Sequence, residues 1–396
     1  MATLQAITSH LCPSTAAAAG NTTVDIPPWS LASADGGLAD EVVGPDYSPS
    51  RETAGTGAAA TSVIVELTMD SEDSTIYPGV DRRPGVEGAA DSAAIHDARF
   101  RGLGIDPAGF GHPEFDSTAG KANGTKGHPL NATADTPDLF MPGVQPYTRD
   151  VHVYIPAAAK APGSSAAPFI IVNDGVGYVE VMAPVMDTLI AEGRLPANLV
   201  AIFANSGGSD AQASQRGLEY DTADGTFATW CDAEMVPFVE MHCGITLTKD
   251  PNGRAVMGGS SGGCAAFGMV WFRPDLFRRV LTYSGTFVNQ QYPYNPATPT
   301  GFWELHANQC LIANAAAKKP IKAVLFNTEL DIGYDLPEKT LHNWTRANTR
   351  MAATLKAKGY DVKHVFCKQA GHVDRRAVAH TLASGLEWLW SGAAVA

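Results

Sequence analysis

The chain has 396 residues and is 45% hydrophobic, enough apolar material for a large core. Its formal net charge of −13 would be repelled by phosphate backbones and anionic lipid, so neither nucleic acid nor a membrane is an expected partner. No run of about 18 uncharged apolar residues occurs, so no spanning helix is expected. The first Arg is Arg51 and the first Lys is Lys121; without an early basic stretch no secretory leader is expected, and the location is read as cytoplasmic. The six cysteines (Cys12, Cys231, Cys243, Cys264, Cys310 and Cys367) have no C-x-x-C or Cys/His zinc spacing. They predict buried free thiols and no metal site, with a Cys231–Cys243 pair left open.

Residues 1–60 are rich in Ala, Gly, Ser, Thr and Asp and predict an irregular arm. An extension over 61–148 holds one predicted strand, Ser62–Met69, and long Gly/Pro/Asp-rich loops. From residue 149 to 396 the pattern changes. Predicted strands at Val151–Ile155, Phe169–Asn173, Leu199–Ala204, Ala255–Met257, Arg279–Tyr283, Ala323–Phe326 and Val362–Phe366 alternate with helices at 179–193, 226–242, 262–272, 338–358 and 374–390. In the last helix Val378, Leu382, Leu386 and Trp390 recur every four residues and define one apolar face. Such alternation predicts a mostly parallel sheet with helices on both faces.

The most informative stretch is Val256-Met257-Gly258-Gly259-Ser260-Ser261-Gly262-Gly263. It places G-x-S-x-G between a strand and a helix, the setting in which a nucleophilic serine rides a sharp turn and its α/β-hydrolase fold is recognised. Glycines two residues to either side avoid clashes there, and the helix N-terminus offers N–H groups to an oxyanion. Two registers fit. Ser260 is preferred as nucleophile because the motif then ends in the Gly262-Gly263 pair, and Ser261 would supply an oxyanion N–H.

In that fold the acid and then the base follow the serine along the chain. His372 follows the last strand and precedes the final helix, where the base belongs; His364 and His380, inside elements, read as structural. The loop after Ala323–Phe326 carries Glu329, Asp331 and Asp335. Asp331 is preferred as the acid, with the other two left open. The second oxyanion donor is expected from the loop after Phe169–Asn173, at Gly175 or Val176, where glycines permit close approach to a ligand. Trp303, in Gly301-Phe302-Trp303-Glu304-Leu305-His306, lies between elbow and acid loop; it either stacks on a substrate ring or simply packs. His306 precedes the acid and does not fit as the base.

Several anchors recur in a fixed order: FIIVNDG (169–175), RGLEYDT (216–222), VMGGSSGG (256–263), FRPDLFRRVLTYSGTF (272–287), RANTRMAATLKAKGYD (346–361) and AGH (370–372). In these the chain resembles the Putative esterase family, which includes enterochelin (ferric siderophore) esterases, feruloyl and acetyl esterases and mycolyltransferases. The resemblance covers about residues 149–390. It implies hydrolysis of a small-molecule carboxylic ester by Ser260, Asp331 and His372 without a cofactor. It also draws Arg216 and Glu219 near the site, Arg216 as a bidentate grip on a substrate oxygen or the pair as a structural brace. Asn327-Thr328 departs from the Asp-Gly common before the acid, which keeps Glu329 in contention. Acyl transfer to an alcohol, or a catalytically inactive binding module, are the competing readings. Oligomeric state is not legible.

Overall fold

The computed structural model describes residues 38–55, 62–81, 144–207, 215–290, 298, 300–307, 309–337 and 340–392. The expected irregularity of 1–37 and 82–143 lies outside the described residues. The strands are β1 (Glu41–Val43), β2 (Ser62–Asp70), β3 (Val80–Asp81), β4 (Val144–Gln145), β5 (Thr148–Pro156), β6 (Phe169–Asn173), β7 (Val200–Ala204), β8 (Arg254–Gly259), β9 (Arg279–Tyr283), β10 (Lys322–Leu330) and β11 (Asp361–Gly371). The α-helices are α1 (Arg51–Ala54), α2 (Val179–Ala191), α3 (Gln215–Tyr220), α4 (Thr226–Trp230), α5 (Val236–Cys243), α6 (Ser261–Phe272), α7 (Leu311–Asn314), α8 (Trp344–Ala357) and α9 (Arg375–Trp390).

Nine strands form one sheet in the order β1-β11-β10-β9-β8-β6-β7-β5-β2. Only β5 runs against its neighbours, pairing antiparallel with β7 and β2; every other pair is parallel. β6, β7, β8 and β9 are buried along their whole length, as a sheet covered on both faces requires.

Alternation along these strands divides the core in two. Phe169, Ile171, Val256, Val280 and Leu325 face one layer, packed under α6 and α8 by Phe267, Met269, Val270, Ala347 and Met351. Ile170, Val172, Met257, Leu281 and Phe326 face the other, under α2 (Met182, Val185, Met186, Leu189) and α9 (Val378, Leu382, Leu386, Leu389). The four-residue spacing in α9 is therefore its buried stripe.

Three expectations need correction. Part of the supposed irregular arm is ordered: β1 adds an edge strand to β11, with Glu41 opposite Val365, and Asp40 Oδ2 accepts the His364 N–H at 2.8 Å. The helix expected from 338 starts at Trp344, because Leu341 sits at φ 58° and Asn343 caps the helix by accepting the Arg346 N–H at 2.9 Å. Cys231, Cys243, Cys264 and Cys367 are free and buried as expected, but Cys310 is disulfide-bonded. No described helix is long and apolar enough to cross a membrane.

Candidate active site

β8 runs straight into α6, and Ser260 is the single residue between them. It adopts φ 54° and ψ −128°, a conformation that L-residues rarely hold. The chain turns so tightly that a Cβ on Gly258 would lie 2.3 Å from the Gly262 carbonyl oxygen, and one on Gly262 would lie 3.1 Å from Asn173 Cβ. These contacts explain both glycines of the motif. Ser260 remains partly accessible, whereas Ser261 is the first residue of α6 and only 2% exposed. Ser260 Oγ lies 3.5 Å from Thr286 Oγ1, and the Thr286 N–H donates to the Ser260 carbonyl at 3.0 Å.

The candidate acid and base, Asp331 and His372, directly follow β10 and β11. A register shift between Thr328 and Leu330 bends the end of β10. Asp331, 1% exposed, follows that bend. Its Oδ1 lies 2.5 Å from His372 Nδ1 and accepts the Ile332 N–H at 2.8 Å; its Oδ2 accepts the Thr328 hydroxyl at 2.8 Å. The other candidates are elsewhere: Glu329 accepts the Gln369 N–H at 2.7 Å, and Asp335 is exposed. The departure at Asn327-Thr328 now has a physical reading. Asn327 ties β10 to α8 by donating to Thr349 Oγ1 at 2.6 Å and to the Thr345 carbonyl at 3.0 Å, and Thr328 holds the carboxylate.

A chain of hydrogen bonds backs this carboxylate. Because Thr328 donates to Asp331, the 3.1 Å contact between Ser284 and Thr328 has Ser284 as donor; Ser284 in turn accepts the Val373 N–H at 3.3 Å. Trp344 stands edge-on to the His372 ring at 6.3 Å and donates its Nε1–H to Thr286 Oγ1 at 3.3 Å. Val373 reaches the elbow directly, since a Cβ on Gly259 would lie 2.9 Å from Val373 Cγ1. The histidine loop thus abuts the serine turn. Four described non-glycine residues at positive φ (Ser260, Ser284, Gln369 and Val373) sit on these segments, where stored backbone strain is often part of function.

On the oxyanion side, Gly175 is pressed against β7, where a Cβ would lie 2.5 Å from Phe203 Cα. Of the two expected donors, Val176 is already engaged, its N–H donating to Asn205 Oδ1 at 3.3 Å. Among the described residues, the N–H groups of Gly175 and Ser261 donate to no protein acceptor. Of the two candidate donors, the Val176 N–H is the one already taken.

Two other expected residues do not reach the site. Glu219, 1% exposed, is gripped by Arg149, whose Nη2 and Nη1 lie 2.5 and 2.6 Å from its two oxygens, and Gln215 donates to it at 2.8 Å. Trp303, 3% exposed, belongs to the core and sits edge-on to His306 at 4.9 Å. His306 faces the Phe287 carbonyl at 2.7 Å, and burial pushes its pKa down to about 3, so it is neutral. Arg216 is close to the site but committed, donating to Asp174 at 2.8 Å beside Gly262. Arg216 and Glu219 therefore do not pair with each other. Sequence reasoning missed Thr286, Ser284 and Trp344, because a lone Thr, Ser or Trp outside a motif carries no signal, and it met Thr328 only as a departure from the usual pattern.

A mostly parallel, helix-wrapped sheet with a serine on a strained strand-to-helix turn defines an α/β-hydrolase. Residues 146–389 match the family model described as "Putative esterase". The chain belongs to that family. Solved structures similar to it include the enterobactin esterase FES from Shigella flexneri, at 20% identity over 61% of this chain and 55% of that one, with a TM-score of 0.45. Ferric enterobactin esterase from Salmonella typhimurium is 21% identical over 61% of this chain and 54% of that one, with a TM-score of 0.44. The ferulic acid esterase AmCE1/Fae1A from the anaerobic fungus Anaeromyces mucronatus is 13% identical over 62% and 84%, with a TM-score of 0.44. The chain spans about half the length of the enterobactin esterases. No curated protein matches it.

Proposed function

We propose that this protein hydrolyses a small-molecule carboxylic ester through an acyl-enzyme on Ser260. The observation that carries the reading is the 2.5 Å contact of His372 with the buried Asp331, made on a loop that packs against the Ser260 turn. Asp331 holds the imidazole by Nδ1, which leaves Nε2 to take the proton from Ser260. The serine oxygen attacks the ester carbonyl, and the Ser261 and Gly175 N–H groups receive the negative charge that develops on its oxygen. Collapse expels the alcohol, which takes the proton from His372. Water, activated by the same histidine, then releases the acid and restores the serine. In this conformation Ser260 Oγ meets Thr286 Oγ1 at 3.5 Å, and its hydrogen bond to His372 forms as the ester binds. Such contacts commonly tighten only with substrate bound. The disulfide at Cys310 favours an oxidising compartment over the cytoplasm expected from sequence.

The test is covalent labelling with a fluorophosphonate followed by peptide mapping, beside a hydrolysis screen of short-acyl, aromatic, sugar and siderophore esters. Label on Ser260 with turnover of at least one ester is the expected result. Label on Ser261 would shift the register, and no label with no turnover would leave a binding module.

A further inference from the structure

Beneath the first turn of α6 lies a carboxylate that the proposed reaction does not use. Asp221 follows α3 and is 0% exposed. Gln290 Nε2 donates to its Oδ2 at 3.0 Å and lies 3.5 Å from Ser261 Oγ. Cys264 Sγ lies 3.9 Å from its Oδ1 and 3.1 Å from the Ser261 carbonyl oxygen. Ser261 and Cys264 belong to the same turn, and that turn presents the Ser261 N–H. We propose that Asp221 is a positioning residue for the oxyanion side of the site, holding the α6 turn through Gln290, the Ser261 hydroxyl and Cys264.

A fully buried carboxylate has a cost, and burial pushes the Asp221 pKa up to about 6. Arg216, the Gln290 amide and the Ser261 hydroxyl favour its charged form, while the Asp174 carboxylate opposes it. The Cys264 thiol and the Tyr220 phenol, both pushed well up by burial, stay neutral beside it. Since the folded-state value lies above the ordinary 3.8, the protonated form is the more stable fold, and that advantage is lost as pH rises through about 6. A neutral residue of the same shape would avoid the penalty. The charged form does something the neutral form cannot: both oxygens act as acceptors, one toward Gln290 and one toward the Ser261–Cys264 turn. Protonation turns one of those oxygens into a donor and breaks the pattern that fixes the turn. Asp221 thus supplies an acid-side ionisation of its own.

This inference rests on the acyl-enzyme reading, and the experiment separates the two. Steady-state kinetics of the full chain, its Asp221→Asn variant and its Ser261→Ala variant are measured against pH with an ester free of ionisable groups, and fluorophosphonate labelling of Ser260 is followed in parallel. Deleting an oxyanion donor outright costs about 10²–10³ in kcat, so loosening one through Asp221→Asn should cost roughly 10- to 100-fold, with KM nearly unchanged. Wild-type log kcat should fall on the acid side through about pH 6 as Asp221 takes up its proton, and Asp221→Asn should lower the acid-side slope by one. Ser261→Ala keeps the backbone N–H but removes a hydrogen bond favouring the charged carboxylate, so the Asp221 limb should move to higher pH. A folded Asp221→Asn with wild-type kcat and slope overturns the proposal. Should that variant fail to fold, an unmoved limb in Ser261→Ala overturns it instead. A wild-type chain that neither turns over esters nor takes the label sinks the acyl-enzyme reading, and this inference with it.

Discussion

The two sides of the site are fixed by different physics. The serine side is a backbone construction, in which Gly258 and Gly262 let main chain approach main chain and Ser260 is forced to φ 54°. The acid–base side is a side-chain construction, in which Val373, Ser284 and Thr328 pass hydrogen bonds toward Asp331, and Asp331 holds His372. A backbone construction tolerates no added atom but needs no particular polar partner. A side-chain construction accepts changes of shape more readily and fails when a donor is lost. The two halves should therefore break in different ways.

The largest effect is chemical and should be confined to the serine side. Ser260→Ala should lower kcat by on the order of 10⁵–10⁶, as loss of the nucleophile does in a comparable triad, with the melting temperature little changed. On the opposite side Asp331→Asn should cost about 10⁴ in kcat, because His372 loses the partner that holds its tautomer. Glu329→Gln and Asp335→Asn should each cost less than about tenfold, since neither touches His372. A larger loss in Glu329→Gln than in Asp331→Asn, with the fold intact, would reassign the acid.

Gly258→Ala sharpens the contrast. Its Cβ would fall 2.3 Å from the Gly262 oxygen, and no flexible side chain is there to yield. The turn must shift, with a stability loss of about 1–3 kcal/mol and a drop in kcat of roughly 10²-fold from misplacing Ser260. Chemical denaturation and steady-state kinetics measure the two losses together. A variant that is as stable as wild type and fully active would show that the elbow is looser than its contacts indicate.

The same division explains what could be read from sequence. Backbone constructions leave glycines at fixed spacing, so the strand-to-helix turn at Gly258–Gly262 and the Gly175 turn were legible. Central strands leave unbroken apolar runs, and Phe169–Asn173 and Arg279–Tyr283 have the bounds that their residues predict. The edge strand β1 has no such run, because Glu41 and Val42 are exposed and its partner lies more than 300 residues away in β11. Side-chain networks leave even less trace. Thr328 stood out only as a departure from the usual pattern, with no sign of what it holds, and the order of the chain does not reveal that Glu219 pairs with Arg149 rather than facing a substrate. The place of His372, between the last strand and the final helix, was legible only because the order of elements along the chain is regular there.

Thr328→Val gives the smallest effect and tests the side-chain half most directly. Valine keeps the branched shape but deletes the hydroxyl, so Asp331 Oδ2 loses its 2.8 Å donor and Ser284 loses the acceptor at 3.1 Å. The carboxylate is buried, so the lost donor is not replaced by bulk water, and an unsatisfied buried acceptor costs about 1–3 kcal/mol. Oδ1 still accepts the Ile332 N–H and still meets His372, so the pair should survive in a less well-held position. The expected loss in kcat is therefore only about tenfold, far below the roughly 10⁴ of removing the carboxylate itself, with KM unchanged. Thr328→Ser restores the hydroxyl without the methyl and should recover most of the rate. If instead Thr328→Ser is as slow as Thr328→Val, the methyl packing rather than the hydrogen bond positions Asp331, and the acid–base side is held by shape after all.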